Sequence, residues 1–271
     1  MQYARLRYFK LALLISLLSA VAYVVYRPAQ GAYGGSWVGY TLGTIGALLI
    51  LMLLWFGVRK RRYRSNAGQV QGWLSAHVYL GTSLVVIVTL HAGFEVGWNV
   101  HTLAYALMLL VIASGMIGAY AYLRYPRLIT DNLRDDTLDS LLLGITDLDR
   151  QARAAALGLP DDINAAVLRA AQYTRVGGSA WRQLAGDDPR CATTQAVTLV
   201  ERVSNSLPPL QQAAAQSVYA LLLRKSEFLR RARRDISLRA WQQLWLYLHV
   251  PLSLALLAAL IAHVVAVFAY W

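Results

Sequence analysis

The chain has 271 residues, 57% of them hydrophobic and only 15% charged, with a mean hydropathy of +0.41, a composition that excludes an ordinary water-soluble domain and points to lipid. Its net charge of +12 does not indicate nucleic acid, because the Arg and Lys residues flank apolar runs as membrane topology requires. A single cysteine, Cys191, excludes a disulfide framework, a CxxCH attachment site and cysteine-held iron-sulfur or zinc clusters, and leaves five histidines as the main chemical inventory.

A helix needs about 20 apolar residues to cross the hydrocarbon core. Five runs qualify in chain order: 9–26, 37–58, 73–91, 102–123 and 244–271. Trp37, Trp73, Trp98, Trp241, Trp245 and Trp271 lie at or near their ends, where an amphipathic ring prefers the headgroup zone. Arg5, Arg7 and Lys10 ahead of an apolar stretch ending near Ala20 also resemble a secretory signal, but the run continues through Tyr26 and reads as a retained helix. The cluster Arg59-Lys60-Arg61-Arg62-Tyr63-Arg64 sets the cytoplasmic side, and alternation then puts the N-terminus inside and Trp271 outside. A plasma (inner) membrane location with several passes is the expectation.

Between the fourth and fifth runs lies a polar insertion, 124–240, which holds every acidic residue except Glu95 and falls on the cytoplasmic side. Leu138, Leu141, Leu142, Ile145 and Leu148 repeat at helical spacing, and Ala-rich stretches favour helix. Breaks are expected at Gly158-Leu159-Pro160, Gly177-Gly178, Asp187-Asp188-Pro189 and Pro208-Pro209. No Walker loop, dinucleotide fingerprint or strand-rich section is present. The block Arg230 to Arg234 suits an anionic lipid surface. The organisation expected is therefore an all-α integral membrane protein: spans one to four in 1–123, a helical cytoplasmic insertion in 124–240, and a fifth span in 241–271.

The histidines carry the chemistry. His77 and His91 are 14 residues apart in the third run, and His249 and His263 are 14 apart in the fifth. At helical geometry that spacing returns to within about 40° of the starting direction and separates the members by about 21 Å. The two helices run the same way in the assigned topology, so His77 matches His249 in depth at the inner side and His91 matches His263 at the outer side. Two imidazoles from facing helices can supply both axial ligands of a haem iron, and two such sites stack across the bilayer. Singly, each histidine reads equally as an interhelical hydrogen bonder or a proton-path residue. Two depth-matched pairs favour two b haems held in a helix bundle.

With these pairs, and with His77-Val78-Tyr79-Leu80-Gly81, Leu90-His91-Ala92-Gly93-Phe94 and Leu248-His249-Val250-Pro251 through His263, the chain resembles the di-haem membrane cytochromes b. That group includes quinone-linked respiratory subunits and ferric-reductase-like membrane domains. The resemblance covers about 73–123 and 242–271 and not the insertion. It implies two b-type haems and transmembrane electron transfer, with quinone and a redox partner protein as the expected partners.

Neighbouring residues extend the candidate set. Gly81 and Gly93 permit close approach of a porphyrin, and equally permit tight helix packing; Gly39 and Gly43 read as ordinary packing. His101 and Glu95 are quinone, proton or propionate candidates at the outer side, against the plainer reading of an interfacial histidine and a solvated carboxylate. Arg124 and Arg127 are candidates for inner propionates, against that of topological anchors. No catalytic residue is assigned. The leading expectation is an electron-transfer subunit of an oxidoreductase complex; the alternatives are a self-contained reductase of the ferric-reductase kind and a haem-free scaffold or transporter whose histidines relay protons.

Overall fold

The computed structural model describes residues 6–26, 34–61, 70–188 and 190–269. The cationic run from Arg62 to Arg64, Pro189 and the terminal Trp271 lie outside the described residues, as does much of the loop after the first span. Every regular element among the described residues is a helix: α1 Arg7–Val25, α2 Trp37–Arg61, α3 Val70–His91, α4 Val100–Leu133, α5 Leu138–Ala156, α6 Asp161–Tyr173, α7 Ala180–Ala185, α8 Ala192–Ser204 and α9 Pro209–Ala269. Five of them, α1 to α4 and α9, contain stretches long and apolar enough to cross a membrane.

The chain divides into two compact units. The first comprises residues 1–120 and 245–271. Its core gathers Ala12 of α1, Ile50 and Leu53 of α2, Ala76, Leu80 and Leu84 of α3, Met108 of α4 and Leu256 of α9. Large side chains left exposed on α1, α4 and α9, among them Leu14, Leu17, Leu18, Leu110, Ile117, Leu254 and Val265, are apolar, a surface suited to lipid rather than water. Several hydroxyls within these helices find partners on their own backbone, as a medium without water favours. Thr41 Oγ1 donates to the Trp37 carbonyl at 2.9 Å, Ser83 Oγ to Leu80 at 2.7 Å and Ser253 Oγ to His249 at 2.7 Å.

The second unit, 121–244, is an amphipathic helical assembly. Leu141, Ile145, Leu148, Ala152 and Ala156 form the buried stripe of α5, which starts at a reciprocal cap: Ser140 N donates to Thr137 Oγ1 at 3.1 Å and Thr137 N to Ser140 Oγ at 2.9 Å. Asp161 and Asp162 occupy the first turn of α6, where negative charge suits the helix dipole. These helices pack a core of Ile163, Val167, Val200, Val218 and Leu222. The expected breaks at Gly158-Leu159-Pro160 and Gly177-Gly178 fall between helices, Pro209 opens α9, and Gly186 ends α7 in the left-handed conformation at φ 72°. Lys225 and Arg231 are among the buried cations that brace the unit. Lys225 Nζ, 1% exposed, donates to Asp149 Oδ1 at 2.5 Å and to the Ala170 carbonyl at 2.7 Å. Arg231 bonds the carbonyls of Asn132 and Leu133 and pairs with Asp136 at 2.8 Å, while Asn132 Nδ2 donates back to the Arg231 carbonyl.

Two helices outrun the spans read from hydropathy. Helix α4 passes through Pro126 to Leu133, and the fifth span is the late part of α9, a helix of 61 residues that begins at Pro209. Neither 123 nor 240 is a helix end.

Candidate functional site

All five histidines belong to the first unit: His77 and His91 on α3, His101 in the first turn of α4, and His249 and His263 on α9. His91, at the end of α3, lays its ring over α2. A Cβ at Gly43 would meet its Cε1, Nδ1 and Nε2 at 2.7, 2.9 and 3.1 Å, so the ring occupies the room that glycine leaves. His91 Nδ1 lies 2.8 Å from the Gly39 carbonyl oxygen. A carbonyl only accepts, so Nδ1 carries the hydrogen and Nε2 keeps its lone pair.

The same logic holds for His249, through a side chain of α4. His249 Nδ1 is 2.7 Å from Ser114 Oγ, and that hydroxyl is 2.9 Å from the Val111 carbonyl, to which it donates. The hydroxyl oxygen therefore accepts from Nδ1–H, and Nε2 of His249 is again the free nitrogen. Trp245, one turn earlier on α9, stacks on the His249 ring with centroids 5.2 Å apart and planes at 25°, and its Nε1 donates to the Ser114 carbonyl at 2.7 Å. Helix α4 accommodates this indole and imidazole with small residues: a Cβ at Gly118 would fall 2.0 Å from Trp245, and one at Gly115 3.5 Å from His249 Cε1.

The remaining rings gather around these two. The His77 ring sits 5.1 Å from that of Phe56, and its Nδ1 is buried without a hydrogen bond. His91 and His263 have ring centroids 5.9 Å apart with planes at 83°. His101 completes this second cluster, its ring centroid 4.6 Å from that of His263 and the two Nδ1 atoms 2.6 Å apart. No group of three or more His, Cys, Asp or Glu able to hold a metal ion by themselves occurs among the described residues. Comparison with protein-family models, curated proteins and solved structures found no match.

The other candidates are placed as follows. A Cβ at Gly81 would meet Leu53 of α2 at 3.8 Å, and Gly93 follows α3 at φ 60°, where its freedom at positive φ is used in the turn. Glu95 lies exposed in the turn before α4. Arg124 and Arg127 are exposed on the part of α4 that belongs to the second unit. Sequence reading passed over Ser114, gave Trp245 only an interfacial role at a span end, and gave Gly39 and Gly43 only a packing role. The signal available was the small run Ala113-Ser114-Gly115 with Gly118, a face on which a large ring can rest.

Proposed function

We propose that this chain is a di-haem membrane cytochrome b, in which His77 with His249 and His91 with His263 are the axial ligands of two b haems. The observation that carries the reading is the hydrogen-bonded state of one histidine in each pair. His91 and His249 have Nδ1–H held by acceptors on neighbouring helices, which orients the ring and leaves Nε2 free, as metal-ligating histidines commonly have their other ring nitrogen held. The His91–His263 placement supports it too: rings from two different helices, α3 and α9, lie with centroids 5.9 Å apart, so the two residues could hold one group between them. When bound, the two haems supply one-electron carriers at two depths in the membrane.

The protein's own groups fix ligand direction and tautomer and surround the site with apolar helices. Because the sequence has no flavin, nicotinamide or iron-sulfur motif, the electrons come from or go to membrane quinone and a redox partner protein, and the chain works as a subunit of an oxidoreductase complex in the plasma membrane. A reduced-minus-oxidised spectrum of the detergent-purified chain tests this. Two b-type haems per chain are expected, and a folded, haem-free preparation overturns the reading. One observation favours a second reading: His101, His263 and His91 form a chain from an exposed ring to a partly buried one, as a proton relay would need. The same haem-free result would leave that alternative standing.

A further inference from the structure

We propose that His101 is the positioning residue of the outer centre, the hydrogen-bond acceptor that fixes His263 with Nδ1 protonated and Nε2 turned to ligation. The inference rests on the di-haem reading and extends it to a residue outside the four ligands. Three of those four are accounted for differently: His91 bonds a backbone carbonyl, His249 bonds a serine hydroxyl, and His77 Nδ1 is buried without a hydrogen bond. His263 Nδ1 lies 2.6 Å from His101 Nδ1. For His263 to offer Nε2 to a metal its Nδ1 must carry the hydrogen, so His101 must accept on Nδ1 and hold its own hydrogen on Nε2.

The turn before α4 places His101 for this. Asn99 Oδ1 accepts from Thr102 N at 2.9 Å, capping the helix, and Gly97 N donates to Thr102 Oγ1 at 3.1 Å, which ties the turn to the first helical residues. His101 thus projects from a capped helix start. An imidazole nitrogen is a better acceptor than a serine hydroxyl or an amide carbonyl, so His263 becomes the most electron-rich of the ligands. Such an outer-shell bond raises ligand basicity and stabilises the oxidised iron.

The experiment is an optically monitored redox titration of the purified full-length chain carrying His101→Ala, His101→Leu or His101→Asn. The Ala and Leu variants remove the acceptor with different losses of volume, whereas Asn Oδ1 stands close to where Nδ1 was. Expected are two haems per chain in all three, a higher midpoint potential for one component only in Ala and Leu, and a return toward the wild-type value in Asn. Unchanged midpoints in both Ala and Leu, or equal shifts of both components, overturn the role of His101 while the di-haem reading stands. A haem-free wild-type chain overturns both together.

Discussion

The hydrogen on Nδ1 of His91 and of His249 decides what those rings can do, because it leaves one lone pair on each, at Nε2. If depth-matched partners share an iron, then His77→Ala and His249→Ala each reduce bound haem from two per chain to one and remove the same spectral component. His91→Ala and His263→Ala remove the other. Haem-to-protein ratios with low-temperature spectra check this, and different components lost within a pair would break the pairing. Gly43→Leu is a sharper probe, since any Cβ there meets the His91 ring within 2.7 to 3.1 Å. The ring must leave its place, at a cost of about 1–3 kcal/mol by overpacking, and the component that depends on His91 is lost while the inner one persists. The histidine pairs were legible in the sequence because a 14-residue repeat on two apolar runs is a geometric statement. The acceptors were not: every residue owns a carbonyl, so nothing in the sequence marks that of Gly39, and Ser114 is one of several hydroxyls in the spans.

Helices are where the hydropathy reading succeeded and where it stopped short. Five apolar runs became five long apolar helices, since run length in lipid is set by bilayer thickness. Hydropathy reports the surrounding medium, however, and not where backbone hydrogen bonding ends. The residues from Arg124 to Leu133, which carry α4 on through Pro126, and those from Gln211 into the fifth span continue helices whose apolar parts alone had been counted. The second unit's brace through Lys225 was illegible for a related reason: its partner Asp149 lies far away in sequence, and burial of the pair depends on tertiary packing. Lys225→Met leaves Asp149 without its cation and should cost on the order of 3 kcal/mol, whereas Lys225→Met with Asp149→Leu recovers most of that loss. Thermal unfolding of both variants against the unchanged chain decides it; equal losses in the single and double variants would show that the Lys225 bond to the Ala170 carbonyl, not the ion pair, holds the unit.

At the scale of the whole molecule the charge asymmetry predicts an orientation. Ser179 is exposed and Cys191 buried, so a Ser179→Cys variant gives one accessible thiol in the second unit. We expect it to be labelled by an impermeant reagent in inverted vesicles and protected in intact cells; the opposite pattern would turn the protein over while leaving the histidine pairs unchanged. The histidine pairs also have a consequence in time. His77 leaves the ribosome 172 residues before His249, counted as 249 minus 77, an interval of roughly 10–30 s at ordinary elongation rates. During that interval α3 has been made while the histidines of α9 that would complete either pair do not yet exist. If each pair holds one ligand as proposed, a nascent chain interrupted between His91 and His249 carries half of each site and has nothing opposite with which to close it. Retention of a ligand that needs both halves would then serve the cell as a proofreading signal that translation had passed the second unit and inserted α9.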